Sequence, residues 1–213
     1  MLGSRKHLHA HRKSRRSVAA TAPLLCIAAL LPLVACNVAR ADEIATPPPA
    51  RSGTLEAITP DAWFLQFGVA DEVTAATVGA VWNLKVDSLS QRWGVFLEAS
   101  VSRWQSRGGQ PSDSGALTQI ALIPTLRYWF GPAGPSWFVE GGIGATVTSS
   151  VYRSSDTHFS TKFNFGDHLG LGLAFGPARK DEVALRVEHF SNAGIKEPNP
   201  GKNFLQLRYA HRF

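Results

Sequence analysis

From Ala62 to Phe213 apolar side chains recur at every second position, and no window carries a convincing helical period. Residues 62–70 place Trp63, Leu65, Phe67 and Val69 on one face, and residues 75–84 place Ala76, Val78, Ala80, Trp82 and Leu84 together. In 92–105, Trp93, Val95, Leu97, Ala99 and Val101 lie opposite Phe96, Glu98, Ser100 and Ser102. Residues 118–130 align Ile120, Leu122, Leu126, Tyr128 and Phe130, whereas the Gly-rich stretch 137–148 leaves its parity open. In 162–175, Phe163, Phe165, Leu169, Leu171, Leu173 and Phe175 oppose Asn164, Gly166, His168, Gly170 and Gly172. Residues 181–191 align Val183, Leu185, Val187, His189 and Ser191, and 203–213 align Leu205, Leu207, Tyr209 and Phe213. A strand sends alternate side chains to opposite faces, so the pattern predicts eight strands with one apolar face each.

The connections sharpen the architecture. Those near 85–91, 131–136 and 176–180 are tight, with Gly131-Pro132-Ala133-Gly134-Pro135 and Gly176-Pro177 as turn signals, while those near 106–117, 149–161 and 192–202 are longer and polar. Only 71–74 departs from this alternation. Short turns at one end, long loops at the other and strands of membrane-spanning length predict an all-β, eight-stranded antiparallel transmembrane barrel of the outer-membrane type. A soluble lipocalin-like barrel has the same strand number but would turn its apolar faces inward. Against it, the second faces carry Glu98, Arg127, Arg186, Glu188 and Arg208, which can pair inside a narrow barrel. Aromatic residues near strand ends (Trp63, Trp82, Trp93, Trp104, Tyr128, Trp129, Trp137) are expected to form interfacial girdles.

Charge changes the picture only at the N-terminus. Of 22 basic side chains, seven precede Asp42, whereas all 16 acids lie at or after it. The chain from Asp42 onward therefore has 15 basic and 16 acidic side chains, which removes the case for a nucleic-acid partner. Residues 1–41 combine a basic start, an Ala/Leu-rich run from Val18 to Val38 and Ala39-Arg40-Ala41, and are expected to be a secretory signal peptide. Pro23 and Pro32 argue against a retained transmembrane helix, and Leu33-Val34-Ala35-Cys36 offers a competing lipoprotein box. Cleavage after Ala41 removes Cys26 and Cys36 and leaves no thiol. Residues 42–60, with Pro47-Pro48-Pro49, read as an extended tail, and 61–213 as the barrel domain.

Candidate chemistry is concentrated at Glu188-His189-Phe190-Ser191-Asn192-Ala193-Gly194. His189 and Ser191 share a strand face, so a base and a hydroxyl stand side by side. By itself His-x-Ser marks only two polar residues where a strand reaches the headgroup zone. No phosphate loop, Cys/His metal spacing or calcium loop occurs, so no cofactor and no metal are expected.

The string His189-Phe190-Ser191-Asn192-Ala193-Gly194-Ile195-Lys196-Glu197-Pro198-Asn199-Pro200-Gly201 resembles the signature of the outer-membrane lipid A 3-O-deacylases, the PagL family. The likeness is dense from Val183 to Phe213 and looser back to about Trp137. It implies hydrolysis of the ester-linked 3-O acyl chain of lipid A, the lipid anchor of lipopolysaccharide, in the Gram-negative outer membrane. His189 would be the base and Ser191 the nucleophile. The side-chain amide of Asn192, with the N–H groups of Ala193 and Gly194, would face the oxyanion. The family places a Glu twelve residues after the serine, and this chain has Asn203 there. Asn203 shares the outward parity of Leu205 and Leu207 and can accept from an imidazole N–H, as in Cys-His-Asn hydrolases. The loop carboxylate Glu197 is the alternative orienter. Asp167 has outward parity among apolar neighbours, and substrate-contact and structural readings of it both stand. A homodimer is compatible with these features, and a non-enzymatic structural or adhesin-like barrel is the rival of a different class.

Overall fold

The computed structural model describes residues 59–107, 115–131, 136–154 and 157–213. The expected signal peptide, its cleavage site and the tail up to residue 58 lie outside the described residues, as do turn residues 132–135. Eight strands follow in chain order: β1 (Ala62–Ala70), β2 (Val73–Leu84), β3 (Trp93–Ser106), β4 (Ala116–Phe130), β5 (Ser136–Thr148), β6 (Phe163–Phe175), β7 (Asp181–Ser191) and β8 (Lys202–Arg212). Each pairs antiparallel with its neighbour in sequence, and β1 pairs with β8 from Ala62↔Arg212 to Val69↔Leu205, closing the barrel.

The alternation read from the sequence becomes an inside and an outside. Leu65, Phe67, Ile120, Ile143, Leu185, Val187 and Leu207 are each at least half exposed on the outer wall, an apolar surface suited to lipid. The open parity of β5 resolves with Trp137, Val139, Ile143 and Val147 outward and Phe138, Glu140 and Thr146 inward. Gly142 and Gly144 belong here for a steric reason: a Cβ would lie 2.7 Å from the Pro124 carbonyl oxygen and 2.2 Å from that of Leu122, respectively. Of the aromatic residues expected in girdles, Trp63, Trp93 and Tyr128 keep the outward parity and pack edge-on against outward neighbours. Trp104 and Trp129 differ. Trp104 has inward parity and is 1% exposed in one mouth of the barrel, and Trp129 packs on the inward Phe138.

The interior is filled in three layers. One mouth holds a cluster of Val73, Ala75, Trp104, Leu117, Tyr152, Phe159, Phe190 and Phe204. The other end holds Ala62, Phe64, Val81, Phe96 and Ala210. Between them runs an ion network. Glu140 accepts from Arg127 Nε at 2.9 Å and from Arg186 Nε at 2.6 Å. Arg186 forks onto both oxygens of Glu98 at 2.8–2.9 Å, and Arg127 Nη1 meets Glu182 at 2.9 Å. Arg208 Nη2 lies 3.2 Å from Glu98, close enough for an ion pair but without hydrogen-bond alignment. The expected internal pairing is thus present for Glu98, Arg127, Arg186 and Arg208, enlarged by Glu140 and Glu182 on β5 and β7. Glu188, also buried, instead accepts from Gln66 Nε2 at 3.4 Å and forms no ion pair among the described residues.

Such a network resists losing one member, because the remaining charge is stranded in a closed interior. Glu140→Ala should lower stability by about 3–5 kcal/mol. The lipid-facing Val187→Ala should cost only about 1 kcal/mol. Urea unfolding of the protein refolded in lipid vesicles reads both, and equal midpoints would show that the network does not hold the barrel.

Candidate active site

His189 and Ser191 end β7 at the mouth that carries the long loops β5–β6 and β7–β8, and both lie on the outer wall, partly exposed. Phe190 between them points the other way. It packs in the mouth cluster with ring centroids 5.1 Å from Trp104 and 5.8 Å from Phe204. That anchor fixes the strand's rotation and so holds the two polar side chains on the lipid side.

The register supplies the neighbours. His189 is directly opposite Asn203 on β8 and Asp167 on β6, while Ser191 is opposite Phe165. His189 Nδ1 lies 2.6 Å from Asn203 Oδ1. With Asn203 accepting, the Nδ1 proton is held there and the Nε2 lone pair is left free as a base. The ring is confined from above by the loop. Gly201 has φ +67°, and a Cβ on it would sit 2.5 Å from His189 Cε1 and 3.0 Å from Nε2. Among the described residues no hydrogen bond joins His189 to Ser191.

The other orienter, Glu197, is occupied elsewhere. It accepts from the Asn199 N–H at 3.0 Å and has no bond to His189. Asn203 therefore takes the position beside the imidazole.

The expected oxyanion donors are redistributed. Asn192 is 1% exposed, and its Nδ2 donates to Ser160 Oγ at 2.9 Å, Thr161 Oγ1 at 3.3 Å and the Lys196 carbonyl at 2.7 Å. Its Oδ1 accepts from the Gly194 N–H at 2.9 Å, and its own N–H donates to Asn199 Oδ1 at 2.9 Å. The physical reason is parity. Asn192 follows the outward Ser191, so its side chain turns into the mouth and ties the loop together instead of facing the site. That leaves the N–H of Ala193, which has φ +54° and donates to no group among the described residues. Ser160, Thr161 and Asn199 went unremarked in the sequence because their partners lie in distant loops. The Asn-rich turn before β8 was the signal for Asn199.

Comparison with known proteins places this geometry. Residues 75–212 match the family described as Lipid A 3-O-deacylase (PagL). The chain is 36% identical over 153 residues to the lipid A deacylase PagL of Bordetella bronchiseptica, covering 70% of this chain and 82% of that protein. It is 33% identical over 129 residues to the lipid A deacylase PagL of Pseudomonas aeruginosa, covering 60% and 68%. A crystal structure of the outer membrane enzyme PagL aligns with a TM-score of 0.60 at 25% identity, over 71% of this chain and 99% of that one.

Gly201→Ala tests the confinement of the ring. The added methyl and the left-handed backbone together should displace His189 and lower turnover of an ester substrate by about a hundredfold. Heat-resistant migration of the folded barrel on gels should stay unchanged. Full esterase activity in this variant would show that the loop does not set the ring's position.

Proposed function

The chain belongs to the lipid A 3-O-deacylase (PagL) family, and on that premise we propose that it is an outer-membrane carboxylic ester hydrolase that removes the 3-O acyl chain of lipid A through Ser191 and His189. The observation that carries the mechanism is the polar row on an otherwise apolar wall: Ser191, His189 and the 2.6 Å His189–Asn203 contact, all facing lipid at the loop end of β7. Polar groups at that position are costly unless they serve a purpose. A substrate that is itself a lipid reaches them by diffusing in the leaflet.

His189 Nε2 takes the Ser191 Oγ proton as Oγ attacks the ester carbonyl carbon. The carbonyl oxygen becomes an oxyanion, to which the free Ala193 N–H is the available donor. Collapse breaks the ester C–O bond, and the imidazolium returns its proton to the departing sugar hydroxyl. Water, deprotonated by His189, then attacks the acyl-serine; the Ser191 Oγ–acyl bond breaks, the imidazolium returns the proton to Oγ, and a fatty acid is released. Asn203 acts through His189 as a positioning residue. As a neutral acceptor it fixes the tautomer but adds no charge to stabilise the imidazolium.

A non-enzymatic barrel is the reading to exclude. Mass spectrometry of lipid A from cells expressing the intact protein should show loss of one hydroxyacyl chain, and cells expressing Ser191→Ala should not. Unchanged lipid A with a folded, surface-exposed wild-type barrel would favour the non-enzymatic reading.

The third position gives a separate test in detergent. Asn203→Ala should lower turnover by more than about tenfold, since loss of an orienter elsewhere has cost up to ten-thousandfold. Asn203→Glu should match or exceed the wild type, and Glu197→Ala should change little. Abolition of activity by Glu197→Ala, with Asn203→Ala unaffected, would transfer the orienting role to the loop.

A further inference from the structure

A second ionisable group stands in the same row. Asp167 lies on the outer wall of β6, directly across from His189, so the register runs Asp167–His189–Asn203 over three adjacent strands. Directly opposed residues have Cβ atoms about 4.5–5.5 Å apart. Around Asp167 the wall is apolar: Leu169 and Phe165 flank it on β6, and Ile143 is its partner on β5. Among the described residues Asp167 forms no hydrogen bond and no ion pair, with His189 or with any basic side chain. A carboxylate on a lipid-facing wall with no cation of its own is costly, and such residues mark function by default.

The other charged groups nearby do not fill this role. Glu188 and Lys202, the sequence neighbours of His189 and Asn203, are buried inside the barrel. Glu197 and Lys196 belong to the loop, where Glu197 receives the Asn199 N–H. On β8 the facing group is the neutral Asn203.

Resting on the Ser191–His189 reading above, we propose that Asp167 is a positioning residue that supplies, from β6, the negative charge that Asn203 on β8 lacks. The work of a single triad acid is divided. Asn203 holds the Nδ1 proton and the ring's orientation, and Asp167 stabilises the imidazolium through space when Ser191 gives up its proton. The apolar surroundings strengthen that interaction, because little water screens it. No bond between Asp167 and His189 is required for this through-space effect.

The test is a double-mutant cycle with Asp167→Asn and Asn203→Glu, assayed on lipid A in mixed micelles and normalised to the heat-resistant folded fraction. Asp167→Asn should lower kcat about tenfold with KM nearly unchanged. Asn203→Glu in the same chain should restore kcat, because a carboxylate then reaches His189 from the other side. Asp167→Glu should retain most activity. A raised KM at constant kcat would make Asp167 a substrate contact and overturn the proposal. So would an equal loss whether residue 203 is Asn or Glu, which is the mark of a merely structural role. A lipid-independent arm measures the rate at which a fluorophosphonate labels Ser191, with the site located by mass spectrometry. Slower labelling in Asp167→Asn supports the charge role, and labelling at the wild-type rate removes it. If Ser191→Ala retains lipid A deacylation, the Ser191 mechanism itself fails, a result separable from the coupling between positions 167 and 203.

Discussion

The constraint on which the structure depends is that no backbone hydrogen-bonding group can be left open to hydrocarbon. An open sheet would expose two edges of unpaired N–H and C=O groups, each costing several kcal/mol in lipid. The β1–β8 pairing removes both edges. Closure fixes the register of every strand, and register fixes which side chains meet. The apolar wall, the charged interior and the row that contains His189 are all consequences of that one closed ladder.

A closed barrel of eight strands has an interior just wide enough for side chains to fill. Here aromatic clusters occupy both ends, and Arg127, Arg186 and Arg208 with Glu98, Glu140 and Glu182 occupy the middle. The interior leaves no room for a glycolipid, so chemistry on one must take place on the outer wall. The rim of the loop-bearing mouth meets that requirement. It is where a polar pair can touch the ester region of a lipid while its strand remains anchored in the packed core. Phe190 couples the two: it buries its ring against Trp104 and Phe204, and the strand's pleat then sends His189 and Ser191 outward.

The loops complete the site by fastening its upper edge. Asn192 joins β7 to Ser160 and Thr161 of the β5–β6 loop and to Lys196 and Gly194 of its own loop. Tyr152 and Phe159 carry the β5–β6 loop down into the mouth cluster. The turn after Ser191 is thereby held by groups more than 30 residues away in sequence. Gly201 closes over His189 from the far side of the β7–β8 loop.

The sequence by itself determined the strands, the two faces of all of them but β5, and the candidate site at the end of β7. Alternation is a local property with a period of two, so Val187, His189 and Ser191 had to share a face whatever the tertiary structure. The same parity already placed Glu98, Arg127, Arg186 and Arg208 inward. The string from His189 to Gly201 carried the family likeness. Parity does not say which strand lies beside which residue, because that depends on register, and register follows from closure. Only the tertiary structure decided that His189 meets Asn203 and not Glu197, and that Asp167 stands on its other side. Asn192, one residue past the outward Ser191, has inward parity, yet a motif read as a string puts the residue at the oxyanion. The inward turn became visible only when the loop 149–162 supplied the buried partners for its amide. Trp104 shows the same limit from the other direction: its place near a strand end suggested the interface, and the pleat with its aromatic neighbours put it in the core.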